Sequence, residues 1–80
     1  MNALNTMLKQ FVRDRDKALL SLDKEKILAY MKKYNIPHAE SEPVFWASVY
    51  KCIFHIKSST KEQKEEAKQW LEANGFTTDV

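Results

Sequence analysis

The sequence predicts an all-α protein: a compact four-helix orthogonal bundle around a central apolar third helix. Three observations lead there. Apolar residues recur at three- and four-residue spacing through four separate segments, and no stretch alternates with the two-residue period of a half-buried strand. Residues suited to helix caps stand between those segments. With one Gly and two Pro among 80 residues, the chain is too poor in turn formers for an all-β or linker-like architecture. That length leaves room for a single domain, 1–80.

The first helix is expected from about Asn2 to Leu20 (2–20). Leu4, Met7, Leu8, Phe11, Val12, Ala18 and Leu19 fall on one arc of about 140°, a face to be buried. Arg15 lies inside that arc and is the main local conflict in the pattern. The second helix is expected over 23–34. Asp23 can cap it by accepting from backbone N–H groups one turn on, and Leu22 with Ile27 has the spacing of a hydrophobic staple. Ile27, Leu28, Tyr30, Met31 and Tyr34 form its buried face. Asn35 suits the left-handed position after the last turn, and Pro37 prevents continuation. Two or three residues join these helices, so they lie side by side or make a sharp corner.

Ser41 as N-cap and Pro43 in the first turn open a third helix, 42–57. Its apolar positions run from Val44 through Phe45, Trp46, Val49, Tyr50, Ile53 and Phe54 to Ile56. They cover more than about 200° of its surface, the pattern of a central buried helix. Ser48, Lys51 and His55 form the remaining polar stripe. Ser59 with Glu62, or Thr60 with Gln63, has capping-box spacing and opens a fourth helix, 60–73. Asn74-Gly75 stops it, and Phe76 is expected to fold back toward Leu71 as in a Schellman motif. Ala67, Trp70 and Leu71 give this helix a thin apolar face, suited to a cover. The tail from Thr77 is expected to fray.

Several chemistries are excluded. The formal net charge of +2, from 13 basic and 11 acidic residues, is too balanced to imply nucleic acid or an anionic membrane by itself. One Cys excludes an internal disulfide and any CxxC zinc site. No run reaches the roughly 18 apolar residues of a membrane span. Met1 to Thr6 lack the basic and apolar regions of a secretory signal, so a cytoplasmic location is expected. The one glycine, Gly75, is too few and too late for a phosphate-cradling loop. His38, His55 and Cys52 have no ligand spacing, so neither a metal nor another cofactor is expected.

Five sets of residues invite a functional reading, each beside a plainer one. Arg15 is a buried-charge candidate that needs Asp16, Asp23 or Glu42. It reads as an anion site or, more plainly, as a structural ion pair or a stem whose head reaches water. Ser48, Lys51 and His55, with Cys52 beside them, suggest a nucleophile and a base. Without a third orienting group or a Gly-rich oxyanion turn they read as a solvent strip, and no enzyme is expected. Lys24, Lys26, Lys32 and Lys33 outnumber Glu25 and give helix two a basic face, which reads as phosphate contacts or as solvated surface. Thr78-Asp79-Val80 resembles a ligand for a PDZ domain, but three residues are too few to specify one. The four Phe, three Tyr and two Trp fill a core in the plainer reading. In the functional one, Tyr30, Tyr34, Trp46 and Tyr50 anchor an exposed patch for a partner.

The strings Arg15-Asp16-Lys17-Ala18-Leu19-Leu20-Ser21-Leu22-Asp23, Phe45-Trp46-Ala47 and Trp70-Leu71-Glu72 with Gly75 resemble a family of small uncharacterised all-helical proteins from Gram-positive bacteria and their mobile elements. The resemblance implies a bacterial, cytosolic, all-helical protein and carries no activity, cofactor or functional residue with it. The functional expectation is therefore a non-enzymatic protein–protein interaction module, a homodimer being one form of it, using aromatic surface on helices two and three. The alternative is a nucleic-acid-binding accessory protein that uses the lysines of helix two.

Overall fold

The computed structural model describes residues 3–78 and is all-α, with no strand among those residues. Its helices are α1 (Ala3–Leu20), α2 (Lys24–Lys33), α3 (Glu42–His55) and α4 (Lys61–Ala73). The expected start at Asn2 lies outside the described residues. The chain divides into two compact units, Met1–Ile36 and Pro37–Val80. Each pairs two consecutive helices.

In the first unit α1 and α2 form a hairpin around a short corner. Ser21 Oγ donates to the Ala18 carbonyl at 2.6 Å and accepts from the Asp23 N–H at 3.1 Å. Asp23 then caps α2 as expected, accepting from the backbone N–H groups of Glu25 (3.0 Å) and Lys26 (3.4 Å). Between them Leu22 is held in the left-handed region at φ 53. It stays 40% exposed, whereas Ile27, the residue it was expected to staple, is fully buried. Asn35 takes the left-handed position at φ 55, and the Asn35 and Ile36 N–H groups bond to the Lys32 and Met31 carbonyls. That is the Schellman arrangement, and it satisfies carbonyls the helix leaves open.

Among the described residues of this unit, those buried are Ala18, Leu19, Ile27 and Tyr30. All the α1 members of this core lie in its last turn. The expected burial of the N-terminal part of the α1 arc does not occur: Leu4, Met7, Leu8 and Val12 are exposed and Phe11 is half-buried. Length explains it. At about 1.5 Å per residue α1 is about 27 Å long and α2 about 15 Å. The far end of α2 reaches only as far as Phe11, whose ring meets Tyr34 edge-on at 4.9 Å.

In the second unit α3 buries Phe45, Ala47, Val49 and Ile53, and α4 buries Ala67 and Leu71. Burying a side chain such as Leu71 stabilises by about 1.5–3 kcal/mol. Ser41 occupies the N-cap position of α3 but makes no side-chain cap bond. The expected end at Lys57 is corrected to His55, because Ile56 turns extended at φ −71, ψ 128. The carbonyls freed there are taken by side chains. Ser59 is buried and its hydroxyl donates to the Ile53 carbonyl at 2.7 Å. Lys64 Nζ donates to the Ile56 carbonyl at 2.8 Å and to that of Phe54 at 3.4 Å. Of the two capping-box spacings, Thr60 with Gln63 is realised: Gln63 N–H bonds Thr60 Oγ1 at 3.0 Å and Thr60 N–H bonds Gln63 Oε1 at 2.8 Å. Gly75, at φ 79, ends α4, and the Phe76 N–H reaches the Leu71 carbonyl at 2.8 Å. Among the described residues no buried side-chain nitrogen or oxygen lacks a partner.

Candidate functional site

Arg15 resolves its conflict locally. Its Nε donates to Asp16 Oδ1 at 3.0 Å, and a terminal guanidinium nitrogen lies 2.9 Å from the same oxygen. The two side chains keep 33% and 19% of their exposure, so water screens the pair and it adds little to stability. The other two expected partners are engaged elsewhere: Asp23 caps α2, and Glu42 accepts from Trp46 Nε1 at 3.1 Å.

The four aromatic anchors divide between the units. Tyr30 has only 9% exposure and clusters with Phe11 and Tyr34, so it offers little surface to a partner. Tyr34 is half-buried, and its hydroxyl donates to Asp14 Oδ2 at 2.6 Å. Lys33 Nζ reaches the same oxygen at 3.0 Å. The Tyr34 hydrogen bond first, and the Lys33 ammonium second, hold the Asp14 carboxyl below the ordinary carboxylate range. The same bonds to Asp14 raise Lys33 and Tyr34. In the second unit Trp46 and Tyr50 are half-buried members of a run of rings. Tyr50 stacks on Trp70 at 4.7 Å, Trp46 lies 6.2 Å from Tyr50, and Phe76 lies 6.2 Å from Trp70. Burial pushes the Tyr50 phenol up, and the charge of Glu66 adds to that.

The lysines of α2 do not form one face. Lys24, Lys26, Lys32 and Lys33 are all exposed. Seven residues apart, Lys26 and Lys33 share a side. With Lys17 they border a groove of about 510 Å³ floored by Ala18, Ala29 and Tyr30. Lys24 and Lys32 do not line it, and Lys33 is already tied to Asp14.

The polar stripe of α3 is not assembled into a reactive set. Ser48 Oγ donates back to the Val44 carbonyl at 3.0 Å. His55 Nε2 lies 2.8 Å from the Thr78 carbonyl oxygen. Lys51 and Cys52 are half-buried. His38 Nδ1 lies 3.2 Å from the Ala39 carbonyl oxygen, and its ring meets Phe45 edge-on at 6.2 Å. Among the described residues no group of three or more His, Cys, Asp or Glu side chains could hold a metal ion. Asp79 and Val80 of the PDZ-like terminus lie outside the described residues. No helix of the described residues is long and apolar enough to cross a membrane.

The surface that sequence reasoning missed is on α1. Leu4 (58% exposed), Met7 (67%), Leu8 (54%) and Val12 (42%) recur with helical spacing on one side of a single helix. Beside them is a groove of about 430 Å³, lined by Leu4, Met7, Leu8, Phe11 and Tyr34 with Thr6 and Gln10. On the other side of Leu8 a second depression of about 440 Å³ is bounded by Val12, Lys9 and Arg13. Periodicity revealed this face in the sequence; that nothing in its own unit covers it follows only from the shortness of α2. Charge is uneven as well. Residues 1–36 carry eight Lys and Arg against four Asp and Glu, a formal +4, and residues 37–80 carry five against seven, a formal −2. No protein-family model, curated protein or solved structure matches the chain.

Proposed function

We propose that this protein is a non-enzymatic protein–protein interaction module and that the N-terminal half of α1 is its contact surface. One observation carries the proposal: four large apolar side chains, Leu4, Met7, Leu8 and Val12, stand 42% to 67% exposed in one helical row. Soluble proteins seldom leave a contiguous apolar patch open without using it for binding. This reading moves the contact surface from the aromatic residues of helices two and three to α1.

A photo-crosslinking side chain placed at Met7, and separately at exposed Glu65 on α4, tests it in the native host. Cross-links to protein from position 7 and none from position 65 are expected, and a second copy of the chain is one partner the cross-link would reveal. Equal or absent cross-linking at the two positions would remove the proposal.

A second reading has its own support. The +4 charge of residues 1–36, with Lys17 and Lys26 beside one groove, favours contact with a polyanion. Gel-shift titration with DNA and RNA at low salt decides it, since phosphate contacts are strongest there. No shift at low salt would end that reading.

A further inference from the structure

We propose that the α1 strip takes an amphipathic helix of a partner protein, one whose apolar stripe is flanked by carboxylates. This rests on the interaction reading above and names the chemistry of the partner.

The shape argues for a helix. The exposed row has knobs at Leu4, Leu8 and Val12, one per turn, with Met7 beside them. Such a row fits the i, i+3, i+4, i+7 stripe of another helix. An extended peptide gains its affinity from main-chain hydrogen bonds to a sheet edge, and a helix has no such edge to give. Leu8 forms the ridge between the two depressions, each large enough for an apolar side chain of the incoming helix.

The charge argues for carboxylates. From residue 3 to residue 13 the helix has no acidic side chain, while exposed Lys9 and Arg13 stand four apart along one border of the strip. The first carboxylate, Asp14, is held by Tyr34 and Lys33, and the next, Asp16, by Arg15. The strip therefore shows only positive charge at its edge. A second copy docking through the same patch would bring two more cations to that border, so like-charge repulsion opposes self-pairing. Thr6 and Gln10 also line the apolar groove and add no charge to it.

The test is calorimetric titration of the full chain with two designed helical peptides. Both carry leucines with helical spacing; one has glutamates flanking the stripe and its twin has lysines there. The acidic peptide should bind about tenfold or more tightly than the twin at low salt, with the preference shrinking as salt is added. The double charge reversal K9E/R13E should invert the preference, and M7D/L8D should abolish binding of both peptides. All four positions are exposed, and an unchanged helical spectrum confirms that each variant folds. Equal binding of the two peptides, a preference that K9E/R13E leaves unaltered, or binding of neither peptide would overturn the proposal. So would binding to anionic phospholipid vesicles in place of the acidic peptide. If the peptides fail while Met7 still cross-links to protein, only the acidic-helix partner falls. If the cross-links fail too, the interaction module falls with it.

Discussion

The Tyr34 hydroxyl donates to Asp14 Oδ2 at 2.6 Å, across the α1–α2 hairpin and twenty residues along the chain. Lys33 donates to the same oxygen, so one carboxylate fastens the end of α2 to the middle of α1. Asp14 is lowered in the folded state, and its contribution is therefore complete above the unfolded value of about 4 and fades as pH falls below it. Lys33 and Tyr34 are raised, so theirs is complete below about 10 and fades as pH rises beyond that. Thermal melts followed by circular dichroism should show Asp14→Asn less stable than the parent between those limits. The difference should close on acidification and again in strong alkali. A gap that persists undiminished in acid would show that the carboxylate charge is not what fastens the hairpin.

The exposed row on α1 predicts a contrast within one unit. Ile27→Ala should cost about 2–5 kcal/mol, because Ile27 is fully buried. Leu8→Ala and Met7→Ala should change stability by no more than about 0.5 kcal/mol, as exposed positions do. Urea unfolding followed at helical wavelengths measures all three. A loss of several kcal/mol at Leu8 would mean that its surface is covered in solution.

Helix starts supply a second contrast. Thr60→Ala removes a completed capping box and should cost about 1 kcal/mol. Ser41→Ala removes a hydroxyl that makes no cap bond and should cost no more than about 0.5 kcal/mol. Equal losses at the two positions would mean that Ser41 caps α3 after all.

The end of α3 depends on side chains that follow it. Ser59→Ala takes away the buried donor to the Ile53 carbonyl. The Ile56 N–H still reaches that oxygen at 3.3 Å, so the cost should be about 1 kcal/mol. Amide exchange in the last turn of α3 should speed up in this variant before it does in α1. Unchanged exchange there would place the closure of the helix with Lys64.

Much of this architecture could be read from local chemistry. Asp23, Thr60 with Gln63, Asn35, and Gly75 with Phe76 act where their side chains or backbone freedom demand, because a cap is decided within four or five residues. Two things were not local. The row from Leu4 to Val12 has the spacing of a buried face, and spacing says nothing about whether a neighbour is long enough to cover it. Ser59 looks in sequence like the start of α4. Its use as a buried donor to the end of α3 depends on how the chain turns at Ile56, which no short pattern encodes. Arg15 fell between these cases. The conflict was visible, and its solution, the adjacent Asp16, was one of three partners the sequence allowed.

Both tryptophans, Trp46 and Trp70, belong to residues 37–80, and both contact Tyr50. Intrinsic indole emission therefore arises in that half of the molecule. Residues 1–36 carry no indole, so Tyr30, Tyr34 or a dye attached to α1 gives the hairpin a reporter of its own.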